Sequence, residues 1–246
     1  MIKNYSISLV MPCKNEAKAL QTVLEKLPKT IDEVIVVDNN SNDQTKAVAR
    51  KFGARIFSES KTDKNGIGYG FAIQKGIREA KGSIVICMDG DGSYPVKEIG
   101  SMVDYLLKKN LDFISCNRLP FRNPQKMSSL RAFGVKILNL LVWSLYGYKI
   151  NDSLSGMWVF KKYVLSDLNL SEGGWNLSLE IKLKAILSPT YKFAERQISY
   201  QDRVFDLSKQ NLFRTGFEHV LYLIKFKINL ALQSILNLKF SYNVGK

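Results

Sequence analysis

Short apolar runs alternate with stretches of helical period along the first half of the chain. The runs at 7–11, 34–37, 55–57, 84–88 and 113–116 are rich in Val, Ile and Phe and read as buried strands. Between them, 16–27, 43–52, 68–80 and 96–108 carry apolar residues at helical spacing. This alternation predicts an α/β fold: a Rossmann-like mixed, mainly parallel sheet with helices on both faces. In such sheets ligands sit beyond the carboxyl ends of the strands, so chemistry is sought in the residues that follow each strand.

Those residues are polar in four places. Pro12-Cys13-Lys14-Asn15-Glu16 follows the first run, Asp38-Asn39-Asn40-Ser41-Asn42-Asp43 the second, Asp89-Gly90-Asp91-Gly92 the fourth and Asn117-Arg118 the fifth. A single polar ending is a helix cap, as Asp43 ahead of Gln44-Thr45 partly is. Four at one edge predict a site. Asp89-Gly90-Asp91 is its sharpest part, because two carboxylates this close repel each other unless a cation lies between them. Oxygen ligands suit Mg²⁺ or Mn²⁺, which in turn grip phosphate oxygens.

The second half is less regular. From 113 to 151 there are six basic residues, Arg118, Arg122, Lys126, Arg131, Lys136 and Lys149, and no acid. Within it, 133–148 is rich in Leu, Val, Trp and Tyr. Two placements are open: an interfacial helix on a membrane, or a core helix with a basic edge. The tail at 213–238 repeats the theme, with one apolar stripe through Phe217, Leu221, Ile224 and Ile228 and with Lys225 and Lys227 mid-segment. It either lies in a membrane interface or packs on the domain. No uncharged apolar stretch is long enough to read as a spanning helix. The expected organisation is an α/β domain over 1–210 and an amphipathic membrane-interface tail over 211–246.

Composition adds a partner class. Among 246 residues, 36 Lys and Arg against 22 Asp and Glu give a net charge of +14. That excess predicts a polyanionic partner: a phosphorylated substrate, an anionic membrane or nucleic acid. Nucleic acid is disfavoured, since no recognised binding motif accompanies the charge. Cys13, Cys87 and Cys116 have neither disulfide nor zinc spacing and read as buried apolar residues, which fits a reducing compartment. The opening residues carry no charged-then-apolar leader pattern.

The ordered motifs resemble family 2 glycosyltransferases of the GT-A fold, and more narrowly the dolichyl- or polyprenyl-phosphate sugar synthases. They are Pro12-x-x-Asn15-Glu16, Val36-Val37-Asp38-Asn39-Asn40-Ser41-Asn42-Asp43-x-Thr45, Gly66-x-Gly68, Asp89-Gly90-Asp91-Gly92-Ser93-Tyr94-Pro95, Asn117-Arg118, Asp152-Ser153-x-Ser155-Gly156, and Arg203 with Ser208-Lys209. The resemblance implies a metal-dependent, inverting transfer of a hexose from a UDP- or GDP-sugar to a polyprenyl or dolichyl phosphate, by a peripheral protein at the cytoplasmic membrane face.

It also implies roles. Pro12, Asn15, Glu16, Asp38, Asn40, Asp43, Gly68, Asp89, Gly90, Asp152, Arg203, Ser208 and Lys209 bind the nucleotide sugar. Asp89 and Asp91 hold Mg²⁺ or Mn²⁺, with Ser93 where the family often has Gln. Arg118, Arg131 and Arg203 seat the acceptor phosphate, and Asp91, Asp89, Arg118 and Arg131 carry catalysis. Ile67 stands where the family tends to have a basic residue, and Asp206 replaces a glycine. An acceptor phosphate is already an anion and needs no base, whereas a sugar hydroxyl acceptor would need one, for which Glu180 and Asp152 are candidates. The single histidine, His219, is read as a surface or packing residue. A non-catalytic, basic membrane-binding protein is the rival of another class. A nucleotidyltransferase is disfavoured, because the first loop has no glycine.

Overall fold

The computed structural model describes residues 4–119, 129–200 and 211–244. Five strands fall where the apolar runs predict them: β1 (Ile7–Cys13), β2 (Glu33–Asp38), β3 (Arg55–Ser58), β4 (Ile84–Cys87) and β5 (Phe113–Asn117). The helices between them are α1 (Ala17–Glu25), α2 (Thr45–Lys51), α3 (Tyr69–Glu79) and α4 (Ile99–Lys108), the last preceded by a 3-10 turn at Val96–Glu98. In α1, Ala19, Leu20, Val23 and Leu24 face the sheet, the i, i+3, i+4 spacing of one buried stripe.

Further elements complete the chain: α5 (Ser129–Tyr146), β6 (Trp158–Lys161), α6 (Val164–Leu168), α7 (Leu177–Leu187), β7 (Phe193–Gln197) and α8 (Leu212–Val244). The seven strands stand in the order β3-β2-β1-β4-β6-β5-β7. β6 runs antiparallel between β4 and β5, while the other pairings are parallel. The sheet is therefore mixed and mainly parallel. One face is covered by α1 and α4 around Leu20, Val103 and Leu106. The other is covered by α3 and α7 around Ile73, Ile77 and Ile181. Cys13, Cys87 and Cys116 are buried free thiols, as their apolar settings predict.

The tail helix has two faces. Tyr222 and Leu223 are buried with Leu138, Val142 and Tyr146 of α5 and Leu179 and Leu183 of α7. The Tyr146 hydroxyl donates to the Leu223 carbonyl at 2.5 Å. The opposite face leaves Phe213, Phe217, Leu221, Ile224, Ile228 and Leu232 exposed, and α5 likewise exposes Phe133, Ile137 and Leu140. Among the described residues no helix is long and apolar enough to cross a membrane.

Candidate active site

β1, β2 and β4 are neighbours in the sheet, so their carboxyl ends bring three loops to one rim. Pro12 and Cys13 end β1 and pair with Val37 and Asp38 of β2. The two following loops are stitched together: Asn15 N–H donates to Ser41 Oγ (2.9 Å) and Asn42 N–H to Asn15 Oδ1 (2.7 Å). Asn15 and Asn40 both hold left-handed backbone, which Asn tolerates better than most residues. Asp43 caps both helix starts, its carboxylate accepting from Ala17 N–H (3.0 Å), Thr45 N–H (3.0 Å) and the Thr45 hydroxyl (2.5 Å). Burial would raise its pKa, but the Thr45 hydroxyl and these amides hold it below the usual carboxylate range. Asp43 thus shapes the loops from their exposed side.

Asp38 is 1% exposed. Its Oδ2 meets Lys46 Nζ at 3.1 Å and accepts a 3.3 Å bond from Ser41 N–H. Its Oδ1 is buried with no hydrogen-bond partner. A buried carboxylate oxygen left this way costs stability unless a ligand donates to it.

The Asp89–Asp91 turn lies directly beside this. Gly90 fits because a β-carbon there would stand 2.5 Å from Cys13 Sγ and 3.4 Å from Glu16 Oε2. Gly92 turns the chain with φ +80°. Asp91 Oδ1 accepts from both the backbone N–H (3.0 Å) and the hydroxyl (2.5 Å) of Ser93. Asp89 Oδ1 accepts from the Tyr69 hydroxyl at 3.0 Å. Convergence of these acids shows on Cys13: burial pushes its thiol well up, and the charges of Glu16, Asp38, Asp89 and Asp91 push it further. The charge of carboxylates from three loops therefore reaches one buried sulfur.

Among the described residues, no group of three His, Cys, Asp or Glu side chains is arranged to hold a metal ion. Asp89 and Asp91 fit Mg²⁺ or Mn²⁺ nonetheless. An ion of the Mg²⁺ kind commonly takes one or two protein carboxylates and fills its other positions with substrate phosphate oxygens and water. Ser93 bonds to Asp91 and would act on the ion through that carboxylate. Gly68, at the start of α3, backs onto Asn39, whose side chain donates to Glu59 O at 2.7 Å.

Arg118 and Asp152 come together in a way the sequence does not reveal. Asp152 is fully buried, and both of its oxygens accept from Arg118. Burial alone would raise the Asp152 pKa; the Arg118 charge overrides that and holds it low. Glu195 of β7 accepts from the Asn151 and Asp152 amides, and buried Lys182 of α7 donates to Asp152 O at 2.9 Å. Burial brings the Lys182 ammonium down to about 7. Arg131 stands half-buried in the first turn of α5. Arg203, Ser208 and Lys209 lie outside the described residues.

Glu180 is buried, and its carboxylate accepts from Ser171 N–H and hydroxyl, Glu172 N–H and Lys184 Nζ. It holds the 171–176 loop in place. His219 is buried, with Nδ1 2.7 Å from Asn176 Oδ1. It is a packing residue, in the interior rather than at the surface. Sequence reasoning missed Tyr69 and Trp175, whose rings pack 4.7 Å apart in a tilted pair beside Asp89. Their signal in the chain is an aromatic beside glycine: Tyr69 stands between Gly68 and Gly70, and Trp175 follows Gly173-Gly174.

Known proteins match the chain in family and in fold. Residues 8–168 match the family model described as glycosyl transferase family 2. A dolichyl-phosphate hexose transferase of Haloferax volcanii is 28% identical over 80% of this chain and 83% of its own. A dodecaprenyl-phosphate galacturonate synthase of Rhizobium johnstonii is 25% identical over 87% of this chain and 64% of its own. Among solved structures, glucosyl-3-phosphoglycerate synthase from Mycobacterium tuberculosis, in complex with Mn²⁺, UDP and phosphoglyceric acid, superposes with a TM-score of 0.72. It is 19% identical and covers 91% of this chain and 78% of its own, which establishes the shared GT-A fold.

Proposed function

We propose that this chain, which belongs to glycosyl transferase family 2, moves a hexose from a UDP- or GDP-sugar to a polyprenyl or dolichyl phosphate, with inversion. The observation that carries the reading is that Glu16, the strand-ending Asp38 and the Asp89–Asp91 turn packed on Cys13 all lie at the carboxyl rim of the sheet. A site this acidic repels a nucleoside diphosphate unless a cation accompanies it. When bound, a divalent ion there acts as a Lewis acid on the departing diphosphate. Asp38 offers its buried Oδ1 to a ribose or base donor, and Asp89 and Asp91 seat the ion. The two relatives named for lipid-phosphate sugars support the acceptor class.

Engagement of the two base candidates supports it too. Asp152 is paired with Arg118, and the Glu180 carboxylate already accepts from a loop and a lysine. A phosphate acceptor attacks without a base, whereas a sugar hydroxyl would need one of these freed. The exposed apolar stripes of α5 and α8, with Lys136, Lys225 and Lys227 on the same two helices, suit docking on an anionic membrane from the cytoplasmic side. The donor is tested by thermal melting with Mn²⁺ across UDP- and GDP-sugars. A true donor at 100 times its dissociation constant adds about 2.7 kcal/mol to the native state. Melting curves unmoved by every nucleotide sugar would overturn the reading.

A further inference from the structure

We propose that Tyr69 is a positioning residue that fixes the Asp89 carboxylate for metal binding, with Trp175 holding Tyr69 in place. The inference rests on the reading of Asp89 and Asp91 as cation ligands. Tyr69 is the first residue of α3, and its hydroxyl donates to Asp89 Oδ1 at 3.0 Å. The direction of that bond is fixed, because an ionised carboxylate only accepts.

The ring cannot drift. It packs against Trp175, with ring centroids 4.7 Å apart and the planes tilted by 34°. The Trp175 loop is tied to the start of the same helix: Gly173 O accepts from Gly70 N–H (2.8 Å) and Phe71 N–H (3.2 Å), and Glu172 O from Gln74 Nε2 (2.9 Å). Glu180 holds the loop from α7 through Ser171 and Glu172, and His219 of α8 holds it through Asn176. On the other side, a β-carbon at Gly156 would stand 2.7 Å from the Tyr69 hydroxyl and 3.4 Å from Asp89 Oδ1. The phenol therefore fills space that only a glycine leaves open. Ligand carboxylates oriented by such outer partners bind metal more tightly, because less ordering remains to be done when the ion arrives.

The test is Mn²⁺ titration by electron paramagnetic resonance, in the presence of saturating UDP and, separately, GDP. The parent protein is compared with Tyr69→Phe, Gly156→Ala and Asp91→Ala. Tyr69→Phe keeps the ring and its contact with Trp175 but lacks the donor, and is expected to weaken Mn²⁺ by about tenfold or more. Its melting temperature and its metal-free UDP affinity are expected to match the parent. Gly156→Ala keeps the tyrosine, displaces its hydroxyl and is expected to weaken Mn²⁺ in the same direction, so the inference does not hang on one variant folding. Parental Mn²⁺ affinity in both, alongside loss in Asp91→Ala, would overturn the role of Tyr69 and leave the metal reading standing. Parental affinity in Asp91→Ala, or no Mn²⁺ binding by the parent with either nucleotide, would overturn that reading and the inference with it.

Discussion

Arg118 closes a two-point ion pair on Asp152, with Nε 2.7 Å from Oδ2 and Nη2 2.9 Å from Oδ1, around a carboxylate that solvent does not reach. The Arg118 N–H adds a third bond at 3.0 Å. This fork ties the end of β5 to the 152–156 loop, and that loop carries Gly156 against Asp89. Removing the guanidinium leaves a buried charge with its strongest partner gone. Arg118→Ala is expected to lower stability by about 3–5 kcal/mol in urea unfolding. Arg118→Met with Asp152→Leu is expected to recover most of that loss, since apolar replacement of a buried pair is often neutral. A purely acceptor-binding Arg118 would instead leave unfolding unchanged and raise only the acceptor KM.

His219 makes stability depend on pH. Burial, aided by the Lys182 charge, lowers its pKa to about 4, against 6.5 for an unperturbed imidazole. Between those values the unfolded chain binds a proton that the folded chain refuses. Stability therefore falls as pH drops from about 6.5 to about 4, by about 3 kcal/mol in total from this group. His219→Gln is expected to remove that portion of the slope. An unchanged slope in the variant would count against a neutral, buried imidazole.

Membrane docking is tested on the outer stripe of α8. Phe213 and Phe217 are 78% and 64% exposed, so replacing them disturbs little packing. Phe213→Ser with Phe217→Ser is expected to leave the melting temperature unchanged. Burying a Phe contributes about 1.5–3 kcal/mol, so binding to phosphatidylglycerol vesicles is expected to weaken ~10-fold or more. Sedimentation with vesicles reads it directly, and parental binding would remove this face from the account.

The closeness of Gly90 to Cys13 gives a compensation test. A β-carbon at 2.5 Å from Cys13 Sγ forces the Asp89–Asp91 turn outward. Gly90→Ala is expected to destabilise by about 1–3 kcal/mol and to weaken Mn²⁺ and nucleotide binding. Adding Cys13→Ala to the same chain removes the obstructing sulfur, and binding is expected to return in part. No recovery would mean that the glycine is needed for its backbone alone.

The parallel half of the fold is legible in the chain because strands buried on both faces leave continuous apolar runs. β1 and β4 are buried throughout, and the apolar runs at 7–11 and 84–88 mark them. β6 is a four-residue strand inserted antiparallel between β4 and β5, too short to show a period. β7, Phe-Ala-Glu-Arg-Gln, is half-buried along its length and carries charges that mask it. Asp38, Asp89 and Asp91 could be located because Asp38 ends β2 and the other two follow β4, where sheet geometry gathers ligands. The pairing of Arg118 with Asp152 spans 34 residues and depends on how β5 and the loop before β6 are juxtaposed, which no local pattern encodes. Tyr69 and Trp175 meet only once α3 and the loop before α7 are both in place. The stripe of the tail predicts its helix, but a stripe does not say which side meets protein. In the structure, Tyr222 and Leu223 face α5 and α7 while Phe217 and Leu221 face outward.

Sugar transfer itself is the most direct test. Labelled UDP- and GDP-hexoses are incubated with Mn²⁺ or Mg²⁺ and detergent-dispersed polyprenyl phosphate or, in parallel, soluble glycans, and the label entering the organic phase is counted. Metal-dependent labelling of the lipid phosphate by the parent, lost in Asp91→Ala, is the expected result. Labelling confined to the glycans, or undiminished lipid labelling by Asp91→Ala, would contradict it.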